Sequence, residues 1–123
     1  MNAPRQRFFR TVFYEEVRTF MRTIDTKAAA KILWNIDHAE QTNDPRLFKK
    51  LTDDIWEFRT KYQNQQYRLL AFWDKTKAED TLILVTHGII KKVDKMPVKE
   101  IEKAKEIRRQ YFSQKKNNHD SKK

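Results

Sequence analysis

Of three strand-like runs in the second half of the chain, two carry arginine where a strand ordinarily buries apolar side chains, and the third ends in a lysine pair. They are Trp56-Glu57-Phe58-Arg59, then Tyr67-Arg68-Leu69-Leu70-Ala71-Phe72-Trp73, then Leu82-Ile83-Leu84-Val85-Thr86-His87-Gly88-Ile89-Ile90, the last closing on Lys91-Lys92. An ionised guanidinium is costly to desolvate without a partner, so arginine in such a run marks a functional surface or a paired site. The runs therefore constrain the fold to a sheet with one charged surface, and the natural counterpart of that surface is phosphate.

The order of the remaining segments completes the architecture. Arg7 to Phe13 is aromatic and β-branched with partial alternation, and reads as a first strand. Val17, Phe20, Met21 and Ile24 then fall at i, i+3, i+4 and i+7, one apolar stripe on a short helix. Asp25 or Thr26 caps a second helix, where Ala28-Ala29-Ala30 gives high propensity and Ala29, Ile32, Leu33 and Ile36 form the buried side. Asn43-Asp44-Pro45 ends this helical hairpin.

From about Leu51 to Tyr62 the chain alternates, with Trp56, Phe58 and Tyr62 on one face and Glu57, Arg59 and Lys61 on the other. Gln63-Asn64-Gln65 is a polar turn, so the next run pairs antiparallel with this one. Gly88, the only glycine, falls just after the strand read over Thr81 to Thr86, where a bend or a positive φ is expected. Met96-Pro97 starts a last helix with Val98, Ile101, Ala104, Ile107 and Tyr111 on its apolar side.

The order predicts an α+β domain over residues 7–112: an N-terminal strand, an αα-hairpin, an antiparallel β-meander and a C-terminal helix. The helices are expected on one face of the sheet, leaving Arg59, Lys61 and Arg68 to project from the other. The tryptophans Trp34, Trp56 and Trp73 read as core, and Tyr67 faces the core side. Residues 113–123 read as a disordered basic tail.

Charge and composition narrow the partner. The chain of 123 residues carries a net charge of +10, and from Gly88 onward 12 Lys and Arg stand against 5 Asp and Glu. That bias points to a polyanion such as nucleic acid. Cysteine is absent and the three histidines, His38, His87 and His119, are scattered, which leaves no pattern for a zinc set. The N-terminus lacks the apolar segment of a secretory signal, and no apolar run approaches the roughly 20 residues that span a bilayer. No membrane partner and a cytoplasmic location are the expectation.

Five segments in order resemble the RelE/HigB toxins of bacterial type II toxin–antitoxin systems, in their phage-related HigB-like branch. They are Leu51 with Ile55-Trp56-Glu57-Phe58-Arg59; Gln66-Tyr67-Arg68-Leu69-Leu70; Leu84-Val85-Thr86-His87-Gly88; Lys91-Lys92-Val93-Asp94-Lys95-Met96-Pro97; and Glu100-Ile101-Glu102-Lys103-Ala104. The resemblance spans Phe8 to Phe112 and departs from the family pattern at Ile89, Val93 and Met96. It implies a RelE-like fold and a ribosome-dependent endoribonuclease that cuts mRNA in the ribosomal A site, without a cofactor. It also implies a cognate antitoxin, often a helix-turn-helix protein.

Such an enzyme needs charge at the scissile phosphate and groups that move protons. Arg68 is the expected phosphate clamp, unless it pairs with Glu57 or Asp54. Lys91 and Lys92 are placed to reach the scissile phosphate and ribosomal RNA, and Arg59, Lys61 and Lys95 to bind RNA. His87 suits either a general acid–base, given its ordinary pKa near ~6.5, or a structural hydrogen bond at a strand end. Two other functions fit the same scaffold: a ParE-like gyrase poison and a non-catalytic RNA- or ribosome-binding module.

Overall fold

A computed structural model describes residues 7–121. The chain forms β1 (Arg10–Phe13), α1 (Glu15–Thr23), α2 (Thr26–Thr42), β2 (Phe48–Lys50), β3 (Trp56–Tyr62), β4 (Gln65–Asp74), β5 (Leu82–Lys91) and α3 (Val98–Ser121). The α+β architecture is the one expected, with one short strand added. β2 is only three residues long, too short to show a period, and its Phe48 ring stacks on Phe58 at 4.4 Å. The strands lie in the order β1-β5-β4-β3-β2, antiparallel except for β1, which runs parallel to β5.

Local chemistry explains the boundaries. The Asp25 carboxylate accepts from the backbone N–H groups of Lys27 and Ala28 at 2.7 and 3.3 Å, capping α2. Asn43 closes the same helix in the left-handed region at φ 54°, donating its N–H to the Ala39 carbonyl. Gln63 and Asn64, at φ 48° and 65°, form the two-residue β3–β4 turn, and positive φ at both matches the twist of a tight hairpin.

The helices are not confined to one face. β4 and β5 are apolar on both sides, and a strand of that kind needs cover on both. The α1–α2 hairpin packs on Phe58, Tyr67, Leu69, Ala71, Ile83 and Val85. α3 packs on the opposite face, where Leu70, Phe72 and Leu84 meet Ala104. Completely burying a side chain such as Leu70 or Phe72 contributes about 1.5–3 kcal/mol.

α3 does not cover its whole face. Near its start Glu100 meets His87, and further along Tyr111 and Lys115 reach Asp74 at the far end of β4. It therefore runs away from the β3–β4 turn and from Lys91.

Several local expectations are corrected. Gly88 lies inside β5 and has no positive φ; a Cβ there would stand 2.5 Å from the Phe20 ring, so the residue is small to admit α1. The buried stripe of α2 is Ala28, Ile32, Asn35, Ile36 and Ala39, rotated from the expected one because Asn35 donates to the Thr60 hydroxyl at 3.0 Å. That rotation leaves Leu33 and Trp34 in solvent, and Trp34 is not core. Tyr67 is buried as expected, and Trp56 and Trp73 pack partly against the core. Val98 is exposed, while Ile101, Ala104, Ile107 and Tyr111 pack on the sheet.

The helix continues past Ser113, where a disordered tail was expected. Lys115 supplies the anchor, bonding the buried Asp74 carboxylate at 2.7 Å and the Thr76 hydroxyl at 2.8 Å. The N-terminal residues read for a signal and the tail residues Lys122 and Lys123 lie outside the described residues.

Candidate nucleic-acid interface

Strand register brings the charged residues together. On the α3 face, side by side across β3, β4 and β5, stand Glu57–Leu70–His87, then Arg59–Arg68–Ile89, then Lys61–Gln66–Lys91. The last two rows lie beyond the reach of α3. Lys92 and Lys95 follow directly in the exposed loop after β5. A cleft of about 420 Å³ at the strand ends is lined by Asn64, Gln65, Gln66, Lys91, Lys92 and Asp94, among others. The two outer rows and the loop thus gather Arg59, Lys61, Arg68, Lys91, Lys92 and Lys95 at one end of one face.

The six cations differ in what they can do. Lys61, Lys92 and Lys95 are exposed and Lys91 is half-buried, so their ammonium groups open to solvent. The Arg59 side chain is 35% exposed, and its Nε lies 3.6 Å from Glu57 Oε2. Arg68 is different: its side chain is 4% exposed, its Nε is 3.4 Å from Glu57 Oε1, and its two Nη groups donate to the Tyr67 carbonyl and to Gln66 Oε1. Burial lowers its pKa from the ordinary arginine value, with Glu57 acting in the opposite direction and Arg59 reinforcing the drop. The expected open clamp is thus a buried, paired guanidinium behind Arg59.

One carboxylate serves two guanidiniums here, which leaves an excess positive charge at the surface. The Nε atoms of Arg59 and Arg68 and Oε1 of Glu57 also lack aligned hydrogen-bond partners. Glu57 holds the arginine pair in place.

His87 stands apart from this cluster. Its side chain is 2% exposed, Nδ1 meets the Thr86 hydroxyl at 2.8 Å and Nε2 meets Glu100 at 3.1 Å. Burial, and next the charge of Lys103, holds the imidazole below its ordinary pKa, while Glu100 pulls the other way. Both ring nitrogens are engaged within the protein, and no substrate-facing nitrogen remains. Of the two readings open from the sequence, the geometry matches the structural one: His87 ties β5 to α3.

The sequence profile of the phage-derived Gp49-like proteins (DUF891) matches residues 19–109. This chain belongs to the Gp49-like family. The match runs from within α1 into α3 and includes every strand that carries the cationic rows. The Gp49-like family is one of RelE-like, toxin-type proteins of toxin–antitoxin systems. No curated protein matches the sequence. Among the described residues of this Gp49-like protein, no helix is long and apolar enough to cross a membrane.

Proposed function

We propose that this Gp49-like protein is the toxin of a toxin–antitoxin pair and acts as an endoribonuclease on mRNA held in the ribosomal A site. The observation that carries this reading is the uncovered end of the sheet, where Arg59, Lys61 and Lys91 flank Arg68 and Gln66 in adjoining rows.

The chemistry asks little of the protein. The RNA 2′-hydroxyl gives up its proton to water and its oxygen attacks the adjacent phosphorus; the 2′ oxygen–phosphorus bond forms, and the 5′ oxygen leaves with the electron pair of the broken bond and takes up a proton from water. The products are a 2′,3′-cyclic phosphate and a 5′-hydroxyl. Arg59 and Lys91 stabilise the added negative charge on the phosphorane, each such contact being worth ~3 kcal/mol by analogy with oxyanion donors. Lys61, Lys92 and Lys95 hold the flanking phosphates. Arg68 raises the positive potential from beneath, with Glu57 fixing both guanidiniums. Holding the mRNA in the ribosome supplies orientation, which allows a small site to suffice.

A cognate antitoxin, expected to be a helix-turn-helix protein, neutralises the toxin, and cytoplasmic action follows from a ribosomal target. The test is induced expression with mapping of mRNA ends. Growth arrest with cuts in the A-site codon, bearing cyclic phosphate and 5′-hydroxyl ends, is expected. Intact mRNA during arrest would overturn the nuclease reading, with a DNA-damage response then pointing to gyrase and blocked translation to a non-cleaving ribosome binder.

A further inference from the structure

The rotation of α2 that buries Asn35 puts Trp34 on the surface, 64% exposed. Its indole is not idle there. It stacks on the His38 ring with centroids 5.2 Å apart and planes 7° from parallel, which presents a flat aromatic surface to solvent. Lys31, Trp34 and His38 fall at i, i+3 and i+7 along one side of α2, whose Lys31 reaches β3.

That flank opens onto the sheet edge. β2 pairs with β3 only as far as Phe58, and beyond Arg59 the outer edge of β3 has no strand partner among the described residues. Lys31 crosses to it, donating from Nζ to the Lys61 carbonyl at 2.9 Å. A groove of about 490 Å³ wraps this edge and is lined by Lys31, Asn35, Arg59, Lys61, Gln66 and Arg68, among others, with no carboxylate in its walls. Arg46 also borders it, but its guanidinium is held by Asp44. The groove thus joins the α2 flank to the cationic rows of the candidate interface.

We propose that the Trp34–His38 pair is a base-stacking platform for a single-stranded RNA segment flanking the cleavage site. The RNA backbone follows the groove past Lys31 and Lys61, and a base outside the cleaved position lies on the indole. RNA is favoured over a protein partner because the neighbouring groove is lined by Lys31, Arg59, Lys61 and Arg68 and by no carboxylate. Lys31, in the wall of that groove, stands one helical turn from Trp34, and a cationic groove with an aromatic face beside it is the arrangement that recognises single strands with little sequence preference. The proposal rests on the RNA ligand of the preceding reading and adds a second point of contact.

The probe is a fluorescein-labelled, 2′-O-methylated RNA of roughly ten nucleotides, which lacks the nucleophile and stays intact. Binding of wild type, Trp34→Ala, Trp34→Phe and Lys61→Ala is measured by anisotropy across a salt series, with thermal unfolding to confirm folding. Trp34→Ala is expected to bind roughly five- to a hundred-fold more weakly with an unchanged salt slope, because stacking is lost and no phosphate contact is. Lys61→Ala is expected to lower the salt slope. Quenching of protein fluorescence on binding should largely disappear in Trp34→Phe.

Wild-type affinity in a folded Trp34→Ala variant, with Lys61→Ala still weakened, would overturn the platform and leave the RNA-binding reading standing. No RNA binding by the wild type would overturn both.

Discussion

Replacing Glu57 with glutamine removes the one carboxylate that serves Arg59 and Arg68 while keeping the size of the side chain. The Glu57 and Arg68 side chains are 5% and 4% exposed, whereas Arg59 can turn to solvent. An exposed ion pair would be worth ~0–1 kcal/mol, but breaking a buried one costs ~3–5 kcal/mol because a charge is left uncompensated. Only Arg68 is buried deeply enough for the larger figure, and its 3.4 Å contact is not an aligned hydrogen bond, which places the cost at the low end. Glu57→Gln should therefore lose about 3 kcal/mol, which lowers Tm by roughly 10 °C in a chain of this size. Urea denaturation should show a lower midpoint with an unchanged slope. Adding Arg68→Met should recover at least half of the loss, since the stranded charge is then gone. A loss below ~1 kcal/mol, or no recovery in the double variant, would refute the description of Glu57 as the counter-charge of a buried guanidinium.

Two pH effects follow from the buried groups. His87 is buried with its pKa lowered, so the native state binds a proton less readily than the unfolded chain. Its contribution is complete above the ordinary value near ~6.5 and is lost as pH falls below it; His87→Gln should flatten the urea midpoint on that acid side, and parallel curves would refute this. Asp74 is buried, which alone would raise its pKa, yet bonds from Lys115, Thr76 and Tyr111 hold its carboxyl well below the usual range. Asp74→Asn should destabilise the fold by about 1–3 kcal/mol at neutral pH and open the 113–117 stretch of α3 to hydrogen exchange. The difference from wild type should fade as pH drops below about 4, where the unfolded chain's carboxylate takes up a proton while the native one stays ionised; a constant difference would contradict the assignment.

The sequence exposed the sheet more readily than the site. Alternation from Trp56 to Tyr62 and the polar Gln63-Asn64 turn define the faces of β3 and β4, which is enough to put Arg59, Lys61 and Arg68 on one side. What alternation could not report was depth. Arg68 and His87 carry residue types suited to catalysis, but Glu57 and Glu100 are brought to them by strand pairing and by α3, at separations no short window contains.

Helix periodicity failed in a different way. Ala29 and Leu33 fit the apolar stripe of α2 on hydropathy alone, while the bond from Asn35 to Thr60 turned the helix and exposed Trp34. Composition likewise called for a loose tail, and a single lysine reaching Asp74 extended α3 beyond it.

The most direct test of the cationic end of the sheet as an RNA-cleaving site is mRNA cleavage on purified translating ribosomes by the Arg59→Ala, Lys91→Ala double variant. Both side chains reach solvent, so the thermal transition should be close to that of the wild type. The account predicts that A-site cleavage falls by at least about 10³-fold in that folded protein. Cleavage at the wild-type rate would contradict it.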